Sequence, residues 1–198
     1  MCGRFETQSS IQSLVDALKE YEIDLELDLK TEPSKSVNIA PTNKIFSVAY
    51  NDSSYRLSLS NWGIKFSEKS PLIFNSRIET IQEKPFWRTL FDKNRTLVPM
   101  SAYYEWKKEG TRKIPYRIFL PDEDMFFVPA LYHIDKDKNI FSSLITTTSN
   151  NFTKNIHQRM PVILKIKDGI NFLLNDADAN LAQCIPYNGK MEMEPVTL

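Results

Sequence analysis

Cys2 is one peptide bond away from being an N-terminal residue. Loss of Met1 would give it a free α-amine, of ordinary pKa roughly 7.7–8.0, and a thiol of about 8.5 on the adjacent carbon, so both are partly nucleophilic near neutrality. The amine can condense with an aldehyde to an imine, and the thiol can then close on the imine carbon as a five-membered thiazolidine. No internal cysteine can do this, because its nitrogen is held in a peptide bond. Position alone also fits a small residue in an unstructured terminus. Glu105 lies in Tyr103-Tyr104-Glu105-Trp106. On a strand it faces away from Tyr104 and Trp106, and burial in a concave face would raise its pKa toward neutrality, as general acid–base work requires. Lys107 and Lys108 beside it equally suit an exposed strand glutamate. Asn75-Ser76-Arg77 offers an amide and a guanidinium to an oxyanion or phosphate, or else a turn asparagine and a surface arginine. His157, in Ile156-His157-Gln158-Arg159-Met160-Pro161, is one of only 2 histidines, and a lone histidine is commonly a hydrogen-bonded structural residue. His133, before Ile134-Asp135-Lys136, reads as part of a solvated turn.

Several chemistries are disfavoured. There is no Cys-x-x-Cys or His-x-x-x-His pair, and 2 histidines are too few for a catalytic zinc triad, so no metal is expected. With 5 glycines and no glycine-rich phosphate loop, no cofactor is expected either. The 25 basic and 25 acidic residues cancel, so any grip on a polyanion must come from local clustering. Two cysteines make no disulfide framework, no apolar run reaches the ~18 residues of a membrane span, and the N-terminus starts no signal peptide. A cytoplasmic protein is expected, with Cys184 as an ordinary buried thiol.

At 198 residues, with 41% hydrophobic and 25% charged residues, the chain is expected to form a single domain over 1–198. Ser9 or Ser10 can cap a helix whose apolar face is Ile11, Leu14, Val15 and Leu18. Tyr21–Leu29 alternates apolar and acidic residues and reads as an edge strand, or as a continuation of that helix. After the Ala40-Pro41 turn, strands are expected at Ile45–Tyr50 and Tyr55–Trp62 around a hairpin turn at Asn51-Asp52-Ser53-Ser54. Gly63 breaks the pattern, and Leu72–Phe74 reads as a short strand. Further strands are expected at Arg95–Pro99, Tyr103–Lys107, Ile114–Leu120, Met125–Tyr132, Asn139–Thr147 and Val162–Ile166. Helices are expected at Pro85–Phe91, Asn150–Ile156 and Gly169–Leu174, with an extended tail after Ala182. The sum is an α+β fold, a curved, barrel-like, mainly antiparallel sheet with peripheral helices.

These segments, taken in order, resemble one family. Met1-Cys2-Gly3-Arg4-Phe5, Asn38-Ile39-Ala40-Pro41-Thr42, Trp62-Gly63, Asn75-Ser76-Arg77-Ile78-Glu79-Thr80, Leu97-Val98-Pro99, Tyr104-Glu105-Trp106 and His157-Gln158-Arg159-Met160-Pro161 match the signatures of the SOS response-associated peptidase (SRAP) family, which shields abasic sites in single-stranded DNA. The likeness runs from residue 1 to about residue 175 and is weakest in the acidic 20–32 stretch and the tail after 184. Ser101-Ala102-Tyr103 stands where the family usually carries an Asp-Gly-Phe type run.

The resemblance implies a DNA-repair protein whose Cys2, exposed by self-removal of Met1, forms a thiazolidine cross-link with the ring-opened sugar. Asn75 would hold the terminal cysteine, Glu105 would shuttle protons, and His157 would assist ring opening. Thr146 would help orient the sugar. Arg4, Arg77 and Arg159 would grip phosphates, and Trp106, Trp62 and Pro41 would stack on or wedge between bases. The implied partner is single-stranded DNA with an abasic site, met by a monomer at the nucleoid or replication fork. Two other classes stay open: a thiol peptidase or amidohydrolase using Cys2, His157 and Asn75, and a non-covalent single-strand binder.

Overall fold

The computed structural model describes residues 2–29 and 36–198. Met1 and the end of the acidic 20–32 stretch lie outside the described residues. The chain begins with β1 (Arg4–Glu6), α1 (Ile11–Lys19), β2 (Leu25–Asp28), β3 (Lys44–Asn51), β4 (Ser54–Trp62), β5 (Asn75–Arg77), α2 (Ile78–Ile81) and α3 (Pro85–Lys93). It continues with β6 (Arg95–Met100), β7 (Ala102–Glu109), β8 (Arg112–Phe119), β9 (Phe126–Ile134), β10 (Ile140–Thr148), β11 (Arg159–Pro161), α4 (Ile166–Leu174), α5 (Ala177–Gln183) and β12 (Glu192–Pro195).

Pairing runs β11-β10-β9-β6-β3-β4-β2 through the larger sheet, with β5 parallel to β10. Because β10 also pairs in parallel with β4, at Phe141↔Asn61 and Ser142↔Trp62, the strands β4-β3-β6-β9-β10 close into a ring. This is the barrel-like, mainly antiparallel sheet of the α+β expectation, with helices at its periphery. A second, antiparallel sheet runs β1-β7-β8-β12.

Side-chain alternation splits the apolar residues into two cores. Leu97, Phe127 and Leu131 pack with Leu14 and Leu18 of α1, Phe91 of α3 and Phe172 of α4. Val98, Met100, Phe126 and Val128, on the opposite face of β6 and β9, pack instead with Cys2, Phe5, Tyr103 and Ile118 of the small-sheet side. The candidate nucleophile therefore belongs to the core between the two sheets.

Local chemistry explains most boundaries. Ser10 caps α1 by accepting from Ser13 N–H at 3.0 Å, which fixes the helix start. The β3–β4 hairpin turns through Asp52 and Ser53, both with positive φ, as a two-residue turn with matching twist requires. Gly63 has φ +125°, and a Cβ there would lie 2.6 Å from Leu72 Cδ1, so the pattern must break at glycine. The acidic stretch is an edge strand, shortened to Leu25–Asp28 and parallel to β4, since α1 ends at Lys19.

Four expectations need correction. Asn150–Ile156 forms successive turns, not a helix: Asn150 Oδ1 takes the N–H groups of Phe152 and Thr153 at 3.1 and 2.9 Å, competing with a helical ladder. The strand expected at Val162–Ile166 lies earlier, at β11. The apolar Val162-Ile163-Leu164 is a buried connector whose pairing with β9 is the single Phe127↔Leu164 bridge. The strand at Leu72–Phe74 is shifted to β5, with Ile73 only bridging Ile64. The tail is not simply extended, because α5 reaches Gln183 and β12 pairs with β8. Among the described residues no helix is long and apolar enough to cross a membrane.

Candidate functional site

Two strands deliver Cys2. β1 lies antiparallel to β7, pairing Arg4 with Tyr104 and Phe5 with Tyr103. On its other side Phe5 exchanges both backbone hydrogen bonds with Ile39, at 3.1 and 2.9 Å. The Phe5 ring meets Trp62 edge-on, with centroids 5.0 Å apart. The N-terminal segment is thus clamped as a strand rather than left as a loose terminus, and Cys2 is fully buried.

The groups around it come from separate parts of the chain. From β5, Asn75 Nδ2 donates to the Cys2 carbonyl at 2.8 Å. From β7, Glu105 and Tyr103 share a face, being two residues apart on a strand. Glu105 is 5% exposed and Tyr103 is fully buried. From the segment before β11, His157 Nδ1 lies 2.9 Å from the Arg159 amide nitrogen and 3.1 Å from its carbonyl oxygen, so either tautomer finds a backbone partner. Among the described residues, Asn75 Oδ1, Tyr103 Oη and Arg159 Nε are buried polar atoms with no hydrogen-bond partner in the protein. A site with orphaned polar atoms is built for something other than its own stability.

Burial dominates the electrostatics. It pushes the Cys2 thiol far above its ordinary value, and the Glu105 charge adds to that. Burial also raises the Glu105 carboxyl, against the opposing pull of His157. The Tyr103 phenol is raised well above its usual value by burial, then by charge on Cys2 and on Glu105. A thiol, a carboxyl and a phenol thus share one dry compartment in which each resists becoming an anion. Charge formed there must be created by proton transfer between neighbours or by an incoming group.

The other expected residues are placed unevenly. Arg77 is exposed and, with Asn75, Thr80, Lys84 and Trp87, lines a cleft of about 200 Å³. Arg4 Nη1 donates to Asn38 Oδ1 at 2.5 Å, and Asn38 holds a positive φ to present that oxygen. Arg159 pairs with Glu79 at 2.7 Å and reaches the Thr146 carbonyl and hydroxyl at 2.7 and 3.1 Å. Thr146 is fully buried and its hydroxyl donates to the Ser76 carbonyl at 3.3 Å. Pro41 and Trp106 are part-exposed. Trp62 corrects an expectation: it is fully buried, its indole N–H donates to the Phe74 carbonyl at 2.9 Å, and it presents no face to a base. An indole edge-packed between Phe5 and Phe74 is a core residue.

Sequence reasoning missed Tyr103, Asn38, Glu79 and Lys84. The signal for Tyr103 was its spacing of two from Glu105 on one strand; Asn38 and Glu79 lay inside the matched segments, and Lys84 carried none. Among the described residues, no three His, Cys, Asp or Glu side chains could hold a metal ion.

Comparison with known proteins adds a second line of evidence. The family described as SOS response associated peptidase (SRAP) matches residues 1–198. The chain is 34% identical over 174 residues to the abasic site processing protein YoaM of Bacillus subtilis, covering 83% of this chain and 75% of that protein. It is 31% identical over 201 residues to the abasic site processing protein YoqW of the same organism, covering 95% and 88%. A crystal structure of a protein from Bacteroides thetaiotaomicron has the same fold, with TM-score 0.82, 24% identity, and coverage of 99% and 92%.

Proposed function

Because this chain belongs to the SRAP family, we propose that it processes abasic sites in DNA, capturing them covalently through Cys2 in single-stranded DNA. The observation that carries this reading is the Asn75 Nδ2 hydrogen bond to the Cys2 carbonyl, which fixes the terminal residue in a buried site beside Glu105 and His157. The names of the relatives, both abasic site processing proteins, support the substrate.

The chemistry balances as follows. Hydrolysis of the Met1–Cys2 bond consumes one water and frees the Cys2 α-amine. An abasic deoxyribose opens to its aldehyde, a step His157 assists. The amine adds to the aldehyde carbon, Glu105 carries the proton to the oxygen, and one water leaves as the imine forms. The Cys2 sulfur then bonds to the imine carbon as the C=N π bond opens, and the thiol proton passes to the nitrogen, which becomes the ring's secondary amine. One carbon–nitrogen and one carbon–sulfur bond have replaced the carbonyl. A carboxyl with a raised pKa suits both directions of transfer near neutral pH. Asn75 anchors Cys2 through its carbonyl, so that amine and sulfur approach from a fixed position. Arg77 and Lys84 at the cleft beside Asn75 suit the DNA phosphates on either side of the lesion.

A denaturing gel tests the proposal. Processed protein should give a denaturant-resistant band with an oligonucleotide carrying one abasic site, and none with the intact oligonucleotide or with Cys2→Ala. Absence of the band from protein shown by mass to lack Met1 sinks covalent capture. Turnover of external amides without any band would favour a thiol peptidase instead, and salt-sensitive binding alone a passive single-strand binder.

A further inference from the structure

We infer that Tyr103 is a further catalytic residue of this site: its hydroxyl donates a hydrogen bond to the Cys2 sulfur as the thiolate forms. The inference deepens the proposed function and rests on it for the reaction it serves. Tyr103 lies on the same face of β7 as Glu105, opposite Tyr104. Its backbone pairs with Phe5 of the strand that Cys2 leads into. Its ring belongs to the same buried cluster as Cys2, Phe5, Met100 and Met160.

The hydroxyl is the unusual part. The side chain is fully buried, yet among the described residues Oη has no hydrogen-bond partner. A phenylalanine would fill the same space with no orphaned oxygen, and a buried hydroxyl without a partner costs stability. Retaining it makes physical sense if a partner arises during the reaction. The titratable groups that bear on Cys2 are Glu105 and Tyr103, both on β7, together with the chain's terminal amine, while His157 bears on Glu105. Glu105 can accept the thiol proton, but as a carboxylate it opposes the charge left on sulfur. Tyr103 is the neutral donor of the group. Burial, then Cys2 and Glu105, hold its phenol well above its ordinary value, so it is a protonated donor near neutral pH.

Hydrogen bonds to charged groups are the strong ones, and losing this one should raise the thiol pKa by about one unit. A less basic thiolate is also a weaker nucleophile, which offsets about half of that change in rate. The test uses processed protein carrying Cys184→Ala, so that Cys2 is the sole thiol. Its reaction with dipyridyl disulfide is followed between about pH 6 and 8, with and without Tyr103→Phe. The expected result is a rate about threefold lower in Tyr103→Phe at each pH, with a melting temperature equal to or above the parent's. A rate equal to or above the parent's overturns the inference. So does a slower rate with a lowered melting temperature that Tyr103→Trp, bulky and without a hydroxyl, does not share. The readout needs no DNA. Absence of lesion capture with the threefold difference intact would therefore sink the proposed function alone, and capture without the difference would sink only the role of Tyr103.

Discussion

Glu6 and Glu105 are both glutamates in the small sheet, 2% and 5% exposed, and their surroundings have opposite consequences. Glu6 is enclosed by donors: the Tyr104 hydroxyl donates to it, as do Arg117 Nε at 2.8 Å and Gln8 Nε2 at 3.1 Å. Arg117 also reaches Glu194 of β12, so one carboxylate ties together β1, β7, β8 and the C-terminal strand. Glu105 faces the other side of β7, where burial raises its carboxyl and positive charge at the chain terminus and on His157 only partly opposes the rise. A carboxyl whose pKa is raised by burial can hold a proton and exchange it with its neighbours. The two faces of one strand thus differ: the Tyr104 face fixes the N-terminal segment, and the Tyr103–Glu105 face carries the buried carboxyl and phenol of the candidate site.

The sharpest way to break the comparison is to remove the sulfur. Cys2→Ala should abolish the denaturant-resistant band while leaving salt-dependent DNA binding, measured by fluorescence anisotropy, within about twofold of the parent. Glu105→Gln should slow cross-linking about a hundredfold, the scale of a lost general acid–base group. It should also stabilise the fold. The folded-state pKa of Glu105 is raised, so the unfolded chain ionises first, and stability falls as pH climbs from the ordinary value of 4.5 toward the raised one. Melting temperatures of Glu105→Gln should therefore exceed the parent's at neutral pH and converge with them below about 4.5. A constant difference across pH would mean that Glu105 does not titrate as described.

Glu6→Ala should do the reverse. Stranding a buried phenol and a part-buried guanidinium should cost about 3 kcal/mol in urea unfolding. If it costs nothing, the Tyr104 face is not what fixes the N-terminal strand. The smallest effect is expected from Glu79→Gln. Burial raises the Glu79 carboxyl, but the Arg159 hydrogen bond and charge outweigh it and hold it below its ordinary value. Its contribution is present above that ordinary value and fades as pH falls through the lowered one. Glu79 is 42% exposed, so the loss should stay under about 1 kcal/mol near neutrality.

Much of the fold was legible because its signals are local. The Ser10 cap, the period of Ile11, Leu14 and Leu18, and the Asp52-Ser53 turn each act within a few residues, and each element lies where those signals put it. Where a side chain competed with its own backbone, as Asn150 does, periodicity misled. Where an apolar run was buried all round, as at Val162-Ile163-Leu164, it carried no period at all.

The site divides along the same line. Sequence by itself determined the chemical kinds available: a cysteine directly after Met1, a glutamate among aromatics and an amide beside an arginine. Tertiary structure alone decided which of them meet. Asn75 reaches Cys2 across seventy-three residues because β5 runs beside β10, and Trp62 turns inward because closure of the ring at β4 and β10 buries it. Whether Glu105 keeps a proton, and whether Tyr103 has a partner, depends on how much water and which charges surround each side chain. Those are properties of packed neighbours distant in sequence, and no local pattern of residues encodes them.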